Sequence, residues 1–421
     1  MRTTKAIGMV LVCLTACLAL NAAAAEPVIG DVKVHQRWPW SRLVDIDYDL
    51  TCDGSNRVDI AITAYNGSEA LIALPMSSLS GDLYGMSQQG AHNVVWDPAK
   101  SAYTNELLTL FHMQLTPTNP PTYMILDLTK SAGAQDQITY LYCGTNIWYD
   151  VTNDTQYMTS KLVLRRISEG SFTNASSQSA TLTKDAYVGV FEVTQAQWTN
   201  VMGSSTWPSC GFTNSDCRAT RPVERVAYTT LRGSSAGTNW PSSSAVDYSS
   251  FIGKLRSKTT MPFDLPTETQ WEYACRAGTT TLFNDGDPTA NTSGPTNRWL
   301  DKLGRYQYNG GQINTNGGWS YPPFSCGDTN ATAKVGSYQP NRWGLYDMHG
   351  NVHELCLDWY GTWMTGGADP SGPTSNSTLQ RTIRGGAWFN PASQCTSAFR
   401  FPHGQTTPHD QVGLRVFITL P

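Results

Sequence analysis

Hydrophobic and polar positions alternate along the first part of the chain. Between residue 28 and about residue 115, short runs such as VKVHQ, LVDIDYDL and VDIAITAY carry apolar residues at every second position, and Gly, Asn, Asp and Pro separate them. In one run Asp45, Asp47 and Asp49 alternate with apolar neighbours, so we expect a solvated strand face there and not a metal site. Strands of this period and spacing predict an antiparallel immunoglobulin-like β-sandwich over residues 26–120.

The pattern changes after this region. The prolines of TPTNPPT, at 116–122, interrupt regular structure. Two further strand-like runs, YMILDL and ITYLYC, predict a connecting hairpin or linker over residues 121–160. From 161 to 421, aromatic residues and glycines are frequent and long periodic segments are few. We expect this second region to be loop-rich, and regions of that kind generally display function on their loops.

Three helices are nevertheless predicted in the second region. Residues 194–201 and 267–278 each begin at a threonine, and Gln270 completes a capping box with Thr267. Residues 244–257 carry apolar side chains at helical spacing, namely Tyr248, Phe251, Ile252 and Leu255. The predicted fold class is therefore α+β, with a β-sandwich followed by a loop-rich domain that contains short helices.

The first 25 residues have the pattern of a signal peptide. Arg2 and Lys5 precede an uncharged apolar run from residue 6 to 20, and alanines follow up to residue 25. The run is too short for a secure membrane span, so we expect a secreted or periplasmic protein. The segment LTAC at 14–17 resembles the box in which bacterial lipoproteins are modified, so a lipid anchor on Cys17 is the alternative.

Composition excludes some functions. The 421 residues include 29 Lys plus Arg and 33 Asp plus Glu, a formal net charge of −4, which argues against nucleic-acid binding driven by bulk charge. Only 15% of residues are charged, whereas 36 are Gly and 14 are Trp, so long charged helices are not expected. Export permits disulfides among the later cysteines, and Cys210 and Cys217 are close enough in sequence to close one loop.

Specific motifs follow one another in the second region. In chain order they are LVLRRISEGSF at 162–172, EVTQAQW at 192–198, RPVERV at 221–226, DLPTETQWEYACRAGT at 264–279, VGSYQPNRWGLYDMHGNVHEL at 335–355, DWYG at 358–361, TIRGGAWF at 382–389 and GLRVFI at 413–418. Together they resemble the formylglycine-generating enzyme, or sulfatase-modifying factor, family over about residues 160–421. The resemblance implies a C-type-lectin-like fold with little regular structure, and it does not include the N-terminal sandwich.

The resemblance also bears on copper. Family enzymes oxidise a sulfatase cysteine to formylglycine with O₂ and a Cu(I) ion held by two thiolates, and soft sulfur ligands suit Cu(I). The matching positions are Asn390 and Cys395, so Cys395 is the one remaining thiolate and the only catalytic candidate. The serine of the family's RGGS motif is Ala387, a tryptophan is His353 and a third cysteine is Arg400. We therefore do not expect copper binding, and we expect Ala387, Asn390, His353 and Arg400 to line a ligand groove.

Two alternatives concern the same pocket. His349 and His353 are four residues apart and would share one helix face as metal ligands, but the glycine and asparagine between them are poor helix formers. We expect His353 simply to fill the tryptophan position. Cys395 is either a lone reactive thiol or, as export favours, the partner of Cys275 or Cys356 in a disulfide.

The same resemblance implies calcium. Family enzymes bind Ca²⁺ through an Asn or Asp side chain, two backbone carbonyls and a Glu carboxylate. The matching residues are Asp347, Gly350, Val352 and Glu354, and hard oxygen donors of this kind are those that Ca²⁺ prefers. The alternative is that the two acids only cap turns. We expect a Ca²⁺ ion that stiffens the loop and takes no part in chemistry.

Other charged residues are predicted to be structural. We expect Glu272 to hold a backbone group or Arg276 in place. Arg384, Arg400 and Arg415 follow glycine or aromatic residues or lie beside them, and we interpret them as buried hydrogen-bond hubs.

Two functions follow from these observations. The first is a binding or accessory protein whose lectin-like scaffold holds an unknown peptide, protein or glycan. The second is an oxidoreductase that converts a cysteine of sulfatase-type targets to formylglycine, or that performs a related O₂-dependent oxidation. Asparagine in place of cysteine at position 390 favours the first.

Overall fold

A computed structural model describes residues 26–37, 41–52, 57–71, 74–103, 110–142, 151–203, 208, 218–293, 297–309, 313–315, 318–320 and 331–421. The predicted signal peptide, Cys17 and the predicted loop between Cys210 and Cys217 lie outside these residues. Within them, no helix has both the length and the apolar character needed to cross a lipid bilayer.

The first unit is a β-sandwich, as predicted. Its strands are β1 (Val28–Gln36), β2 (Val44–Thr51), β3 (Asp59–Asn66), β4 (Glu69–Ala70), β5 (Leu79–Gly81), β6 (Gly90–Trp96) and β7 (Phe111–Thr118). They form two antiparallel sheets, in the orders β1-β2-β6-β5 and β4-β3-β7. Ile46, Val94 and Leu115 belong to the buried core between the sheets. In β2, Asp49 is exposed as the alternation predicts, but Asp45 is buried because Arg37 donates two hydrogen bonds to it.

The second unit contains many short strands. They are β8 (Tyr123–Asp127), β9 (Ile138–Leu141), β10 (Lys161–Ile167), β11 (Gly170–Thr173), β12 (Ser179–Leu182), β13 (Ala186–Gly189), β14 (Ile313–Thr315), β15 (Gly318–Ser320), β16 (His353–Trp359), β17 (Gly367–Ala368), β18 (Gln380–Arg384), β19 (Arg400–Gly404), β20 (Val412–Gly413) and β21 (Phe417–Thr419). The hairpin predicted between residues 121 and 160 is β8–β9. It joins a five-stranded sheet of order β21-β13-β10-β8-β9, so it belongs to the sheet of the second unit.

The helices are short and are fixed by their first residues. They are α1 (Gln195–Met202), α2 (Tyr228–Arg232), α3 (Phe251–Thr259), α4 (Glu268–Arg276) and α5 (Leu300–Leu303). Capping boxes begin α1 and α4, at Thr194 and Thr267, as the sequence predicts. The start predicted for α3, at residue 244, is wrong. Ser250 caps α3 by accepting a hydrogen bond from the Gly253 N–H at 3.1 Å, and Tyr248 lies outside the helix with 77% of its surface exposed.

A four-stranded sheet positions the candidate site. Its order is β19-β18-β16-β20, and the residues Arg400, Arg384 and Glu354 lie side by side across three of its strands. Glu354 and Arg384 are fully buried on the face that α4 covers, where Glu272 of α4 accepts a 2.7 Å hydrogen bond from Arg384. Because neighbouring residues of a strand point to opposite faces, His353 belongs to the other face.

A buried ion network joins the two units. The guanidinium of Arg166, in β10, binds Asp59 of the sandwich and donates to Asp185 at 2.9 Å. Arg57 of the sandwich reaches Asp185 at 2.7 Å, and the Gly85 N–H donates to Asp59 at 2.9 Å. Two guanidinium groups thus face two buried carboxylates, and the half-exposed carboxylate of Glu169 lies 3.5 Å from Arg57.

Candidate functional site

The turn after β18 brings the predicted site residues together. Gly385 and Gly386 both have positive φ, 88° and 76°, which glycine adopts without strain. A Cβ atom on Gly386 would lie 2.5 Å from the sulfur of Cys395, so only glycine permits this close approach. The turn therefore packs its backbone directly on Cys395.

Cys395 is a buried thiol. It packs in a cluster with Phe283, Leu300 and Tyr306 and has no exposed surface. Burial raises the pKa of this thiol to about 12. Because the thiolate is the form that binds metal or attacks a substrate, a thiol with so high a pKa is poorly suited to either role near neutral pH.

Asn390 occupies the position of the missing thiolate. Its amide nitrogen donates a 2.6 Å hydrogen bond to the side chain of Gln394, and its backbone N–H donates to the carbonyl of Ala387 at 2.9 Å. Ala387 is fully buried, so its methyl group offers no hydrogen bond where the family has a serine hydroxyl. A carboxamide held in this way is a hard, neutral group and does not replace a soft thiolate as a Cu(I) ligand. The two residues therefore do not fit a copper site.

His353 lies beside Asn390 as a neutral imidazole. Burial lowers its pKa to about 3, and interactions with the Arg384 backbone and then with the Asn390 side chain only partly oppose that shift. Its ring lies 6.5 Å from the ring of Phe399. Among the residues that the structure describes, neither Nδ1 of His353 nor Oδ1 of Asn390 has a hydrogen-bond partner, although both atoms are buried. The pair thus has unused hydrogen-bonding capacity.

Arg400 is not part of this group, and its predicted place in the groove is wrong. Its guanidinium donates to Glu268 at 2.6 and 2.5 Å and to the carbonyl of Gly361 at 2.7 Å. The cause is the strand register: Arg400 pairs with Arg384 and shares its face of the sheet, opposite the face of His353. Arg400 therefore acts as a hydrogen-bond hub, the second role that the sequence suggested.

The disulfide predicted for Cys395 is absent, because Cys275, Cys356 and Cys395 are all free thiols. Cys275 and Cys356 pack in a different cluster from Cys395. The ring of His349 lies between the two clusters. Its Nε2 lies 4.0 Å from the Cys275 sulfur, and its Nδ1 lies 2.7 Å from the Cys395 carbonyl oxygen.

His349 is a structural residue. The Asn284 N–H donates to its Nε2 at 3.1 Å, so Nδ1 carries the proton that it donates to Cys395. Burial lowers its pKa to about 4. His353 lies in β16 whereas His349 lies in a turn, so the two rings do not share a helix face, in agreement with the sequence.

Two of the predicted calcium residues, Asp347 and Glu354, lie in a buried acidic cluster. We use this name for Glu192, Asp347, Glu354 and Arg415, which are all buried and interact electrostatically. Arg415 donates to Glu354 at 2.8 Å, and Trp271 donates to Glu354 at 2.7 Å. One guanidinium thus faces three carboxyl groups.

Asp347 is the carboxyl group of this cluster with the fewest partners. Its Oδ2 accepts a 2.6 Å hydrogen bond from the Gly336 N–H, but its Oδ1 is buried and has no partner among the described residues. Burial raises its pKa to about 7. Burial and the charges of Asp347 and Glu354 likewise raise the pKa of Glu192.

Oδ1 of Asp347 is the one carboxyl oxygen of this cluster without a partner among the described residues, because both oxygens of Glu354 accept from Arg415 and one also from Trp271. The described residues hold no group of three or more His, Cys, Asp or Glu side chains arranged to hold a metal. A Ca²⁺ ion at this place would therefore depend on Asp347, Glu354 and the backbone carbonyls of Gly350 and Val352.

The predicted hubs are confirmed. Glu272 accepts from Arg276 and from Arg384 at 2.7 Å each. Arg384 and Arg415 are fully buried. Arg415 also donates to the carbonyls of Gly189 and Val190, so it ties β16 to the end of β13.

Glu192 is the site residue that the sequence analysis missed. It binds the Asn351 amide at 2.6 Å and the Val352 N–H at 3.1 Å, and so it fixes the loop before β16. An available signal was its position in an otherwise apolar stretch, VGVFEV, where a buried acid requires partners.

Comparison with known proteins agrees with this arrangement. Residues 152–420 match the sulfatase-modifying factor enzyme 1-like domain. The chaperone protein LppX of Paenibacillus barcinonensis is 28% identical over 238 residues, which are 52% of this chain and 74% of that protein. The formylglycine-generating enzyme of Streptomyces coelicolor is 31% identical over 157 residues, 35% of this chain and 43% of the enzyme.

Among solved structures, Treponema denticola variable protein 1 is similar, with 24% identity and a TM-score of 0.44; the match covers 62% of this chain and 96% of that one. The family match agrees with the ordered motifs of the sequence. It also agrees with the loop-rich fold, which includes the four-stranded sheet that positions the candidate site. The chain therefore belongs to the sulfatase-modifying factor, or formylglycine-generating enzyme, family.

Proposed function

We propose that this member of the family is a binding or accessory protein and not a copper oxidase. One observation carries the proposal: of the two thiolate positions, one is Asn390, hydrogen-bonded to Gln394, and the other is the buried thiol of Cys395. The surrounding residues His353 and Ala387 supply a neutral ring and a methyl group. The carboxamide and the methyl group supply no soft ligand, and the single thiol is buried, so the pair of thiolates that holds Cu(I) in the family is incomplete.

The bound partner in this proposal is another polypeptide. The relative from Paenibacillus is a chaperone by name, and the alignment with it spans about half of this chain. Nδ1 of His353 and Oδ1 of Asn390 lack partners but are buried, so a peptide backbone, which has one donor and one acceptor per residue, would reach them only if the turn rearranged. Glycans and small molecules are the other candidates.

A thermal aggregation assay tests this role. Light scattering of heat-denatured citrate synthase is followed with and without the purified protein. We expect suppression at near-stoichiometric ratios, and a weaker effect for Asn390→Trp, whose bulk would block the turn surface. Full suppression by that variant, or none by the wild type, would contradict the proposal.

The alternative is formylglycine formation at an altered site. It predicts that a Cys-x-Pro-x-Arg peptide, with O₂, Cu(I) and a thiol reductant that supplies two electrons, is converted to the aldehyde by the wild-type protein. The binding proposal predicts conversion only, if at all, after Asn390→Cys restores a second sulfur. Mass spectrometry of the peptide distinguishes these outcomes.

We also propose that Ca²⁺ binds at Asp347 and Glu354. The support is the surplus of three carboxyl groups over one guanidinium in the buried acidic cluster and the unpartnered Oδ1 of Asp347. The ion would hold the loop before β16 in place. Elemental analysis of protein purified without added metal tests this, with about one calcium per chain expected and none in the Asp347→Ala variant.

We propose, finally, that the protein is exported. The charged start, the apolar run and the alanines up to residue 25 support this. N-terminal sequencing of protein from the periplasm or medium should begin at Glu26. A lipid-modified Cys17 at the N-terminus would instead establish the lipoprotein alternative.

A further inference from the structure

A cavity lies between the sandwich and the second unit. Its volume is about 700 Å³, and it is partly open to solvent. Pro75 and Lys100 of the sandwich line it, together with Trp240, Leu265 and Phe417 of the second unit. It shares no lining residue with the turn that carries Asn390 and Cys395. Ligand sites are commonly of this size and often lie between domains.

The charged side chains that line this cavity are two cations, Lys100 and Arg256, and two carboxylates, Asp264 and Asp369, so their charges balance; the Asp369 carboxylate accepts from the Thr183 N–H at 3.0 Å. Asp264 accepts from Arg232 at 2.8 Å and from Arg256 at 2.9 Å, so one carboxylate is bound by two guanidinium groups. Lys100 pairs with Asp97 at 3.4 Å. A charged ligand would have to compete with these pairs, so the cavity favours a neutral one.

The remaining walls combine apolar and hydroxyl groups. Apolar side chains form the floor, namely Leu182, Trp240, Met261, Leu265, Leu357 and Phe417. Neutral polar side chains also line the cavity, among them Thr260, Gln270, Ser371 and Thr419. Such walls suit a ligand that has flat apolar faces and many hydroxyl groups at its edges.

We propose that this cavity binds a short neutral oligosaccharide. A sugar ring offers apolar C–H faces to the aromatic side chains and hydroxyl groups to the threonine and serine hydroxyls, and it carries no charge. Since both units line the cavity, such a ligand would bridge them. The proposal is independent of the function of the turn at Asn390, because the two places share no residue.

Calorimetric titration with maltotriose, cellotriose and N,N′,N″-triacetylchitotriose tests it on the full-length protein. We expect at least one of them to bind, and at least tenfold weaker binding after Ser371→Trp, which fills the cavity from an exposed loop. Ser293→Trp, on a surface loop that does not line the cavity, is the matched control and should leave the affinity unchanged.

Each outcome decides the proposal. Loss of binding in Ser371→Trp with an unchanged melting temperature supports it. Binding of all three sugars that is equal in both variants places the sugar elsewhere and overturns it. Absence of any binding at millimolar sugar, or binding of a neutral peptide in competition with the sugar, overturns it as well.

Discussion

Two buried networks of charged side chains differ in their balance. Between the units, Arg57 and Arg166 face the buried carboxylates of Asp59 and Asp185, so guanidinium groups and buried carboxylates are equal in number; a third carboxylate, that of Glu169, lies 3.5 Å from Arg57 but is half-exposed. In the buried acidic cluster, Arg415 alone faces Glu192, Asp347 and Glu354. Burial of an unpaired charge is costly, so the first network needs nothing further, whereas the second requires either bound protons or a cation.

The two networks therefore differ in role as well as in charge. The balanced network holds one unit against the other, and its charges need no further partner. The unbalanced one, beside the loop that leads into β16, must be balanced by bound protons or by a cation. The following variants test that distinction, from the largest expected effect to the smallest.

Arg415→Met should have the largest effect. It removes the only guanidinium from the buried acidic cluster and its hydrogen bonds to Gly189 and Val190. Loss of one partner of a buried ion pair costs roughly 3–5 kcal/mol, and we expect the upper end of that range here. Urea unfolding measures the loss. A decrease below about 1 kcal/mol, within the range of an exposed pair, would contradict the proposed charge imbalance.

Arg166→Met should cost somewhat less, about 3 kcal/mol, because Arg57 still reaches Asp185. Removal of Asp59 as well, in Arg166→Met with Asp59→Leu, leaves no unpaired acid at that position and should restore part of the loss. Calorimetry should also show the sandwich unfolding separately in the single variant. If the double variant is as unstable as the sum of its parts, the network is not paired as described.

Calcium should stabilise the wild type through the second network only. At about 100 times the dissociation constant, a ligand that binds the folded state adds about 2.7 kcal/mol. Asp347→Ala should lose the calcium-dependent rise in melting temperature, and Asp59→Ala should retain it. An equal rise in both variants would place the ion elsewhere.

The reactivity of the cysteine thiols should follow their burial in the folded protein. Of the four cysteines that the structure describes as free, Cys275, Cys356 and Cys395 are buried, and Cys52 is partly exposed. Burial raises the pKa of Cys275 and of Cys395 to about 12. Iodoacetamide at pH 8 followed by peptide mass spectrometry should therefore label Cys52 first and the other three only after denaturation. Rapid labelling of Cys395 in the folded protein would contradict its assignment as inert.

The sequence was sufficient where the signal is local. Thr194 and Thr267 begin helices because a threonine followed by Gln three residues later satisfies both ends of the first turn. The start of α3 was predicted wrongly because it rested on apolar spacing alone. Tyr248 fits that spacing, but Asp247 accepts hydrogen bonds from the Ser235 and Ala236 N–H groups and so lies in a loop.

The sequence was insufficient where the outcome depends on pairing. Arg400 follows the turn of Asn390 closely in the chain, yet its side chain lies on the opposite face of the sheet because of its register with Arg384. Glu192 meets Asn351 and Val352 only in the folded protein, about 160 residues later in the chain. The absence of a disulfide at Cys395 likewise depends on which cluster each cysteine enters.

Cu(I) stoichiometry tests the central claim most directly. The purified protein and its Asn390→Cys variant are titrated with Cu(I) under anaerobic conditions in competition with a coloured chelator. The wild type should take up no stoichiometric copper, and the variant should take up more than the wild type because it has two sulfur atoms. One tightly bound Cu(I) per wild-type chain, together with conversion of a Cys-x-Pro-x-Arg peptide to the aldehyde, would contradict the account.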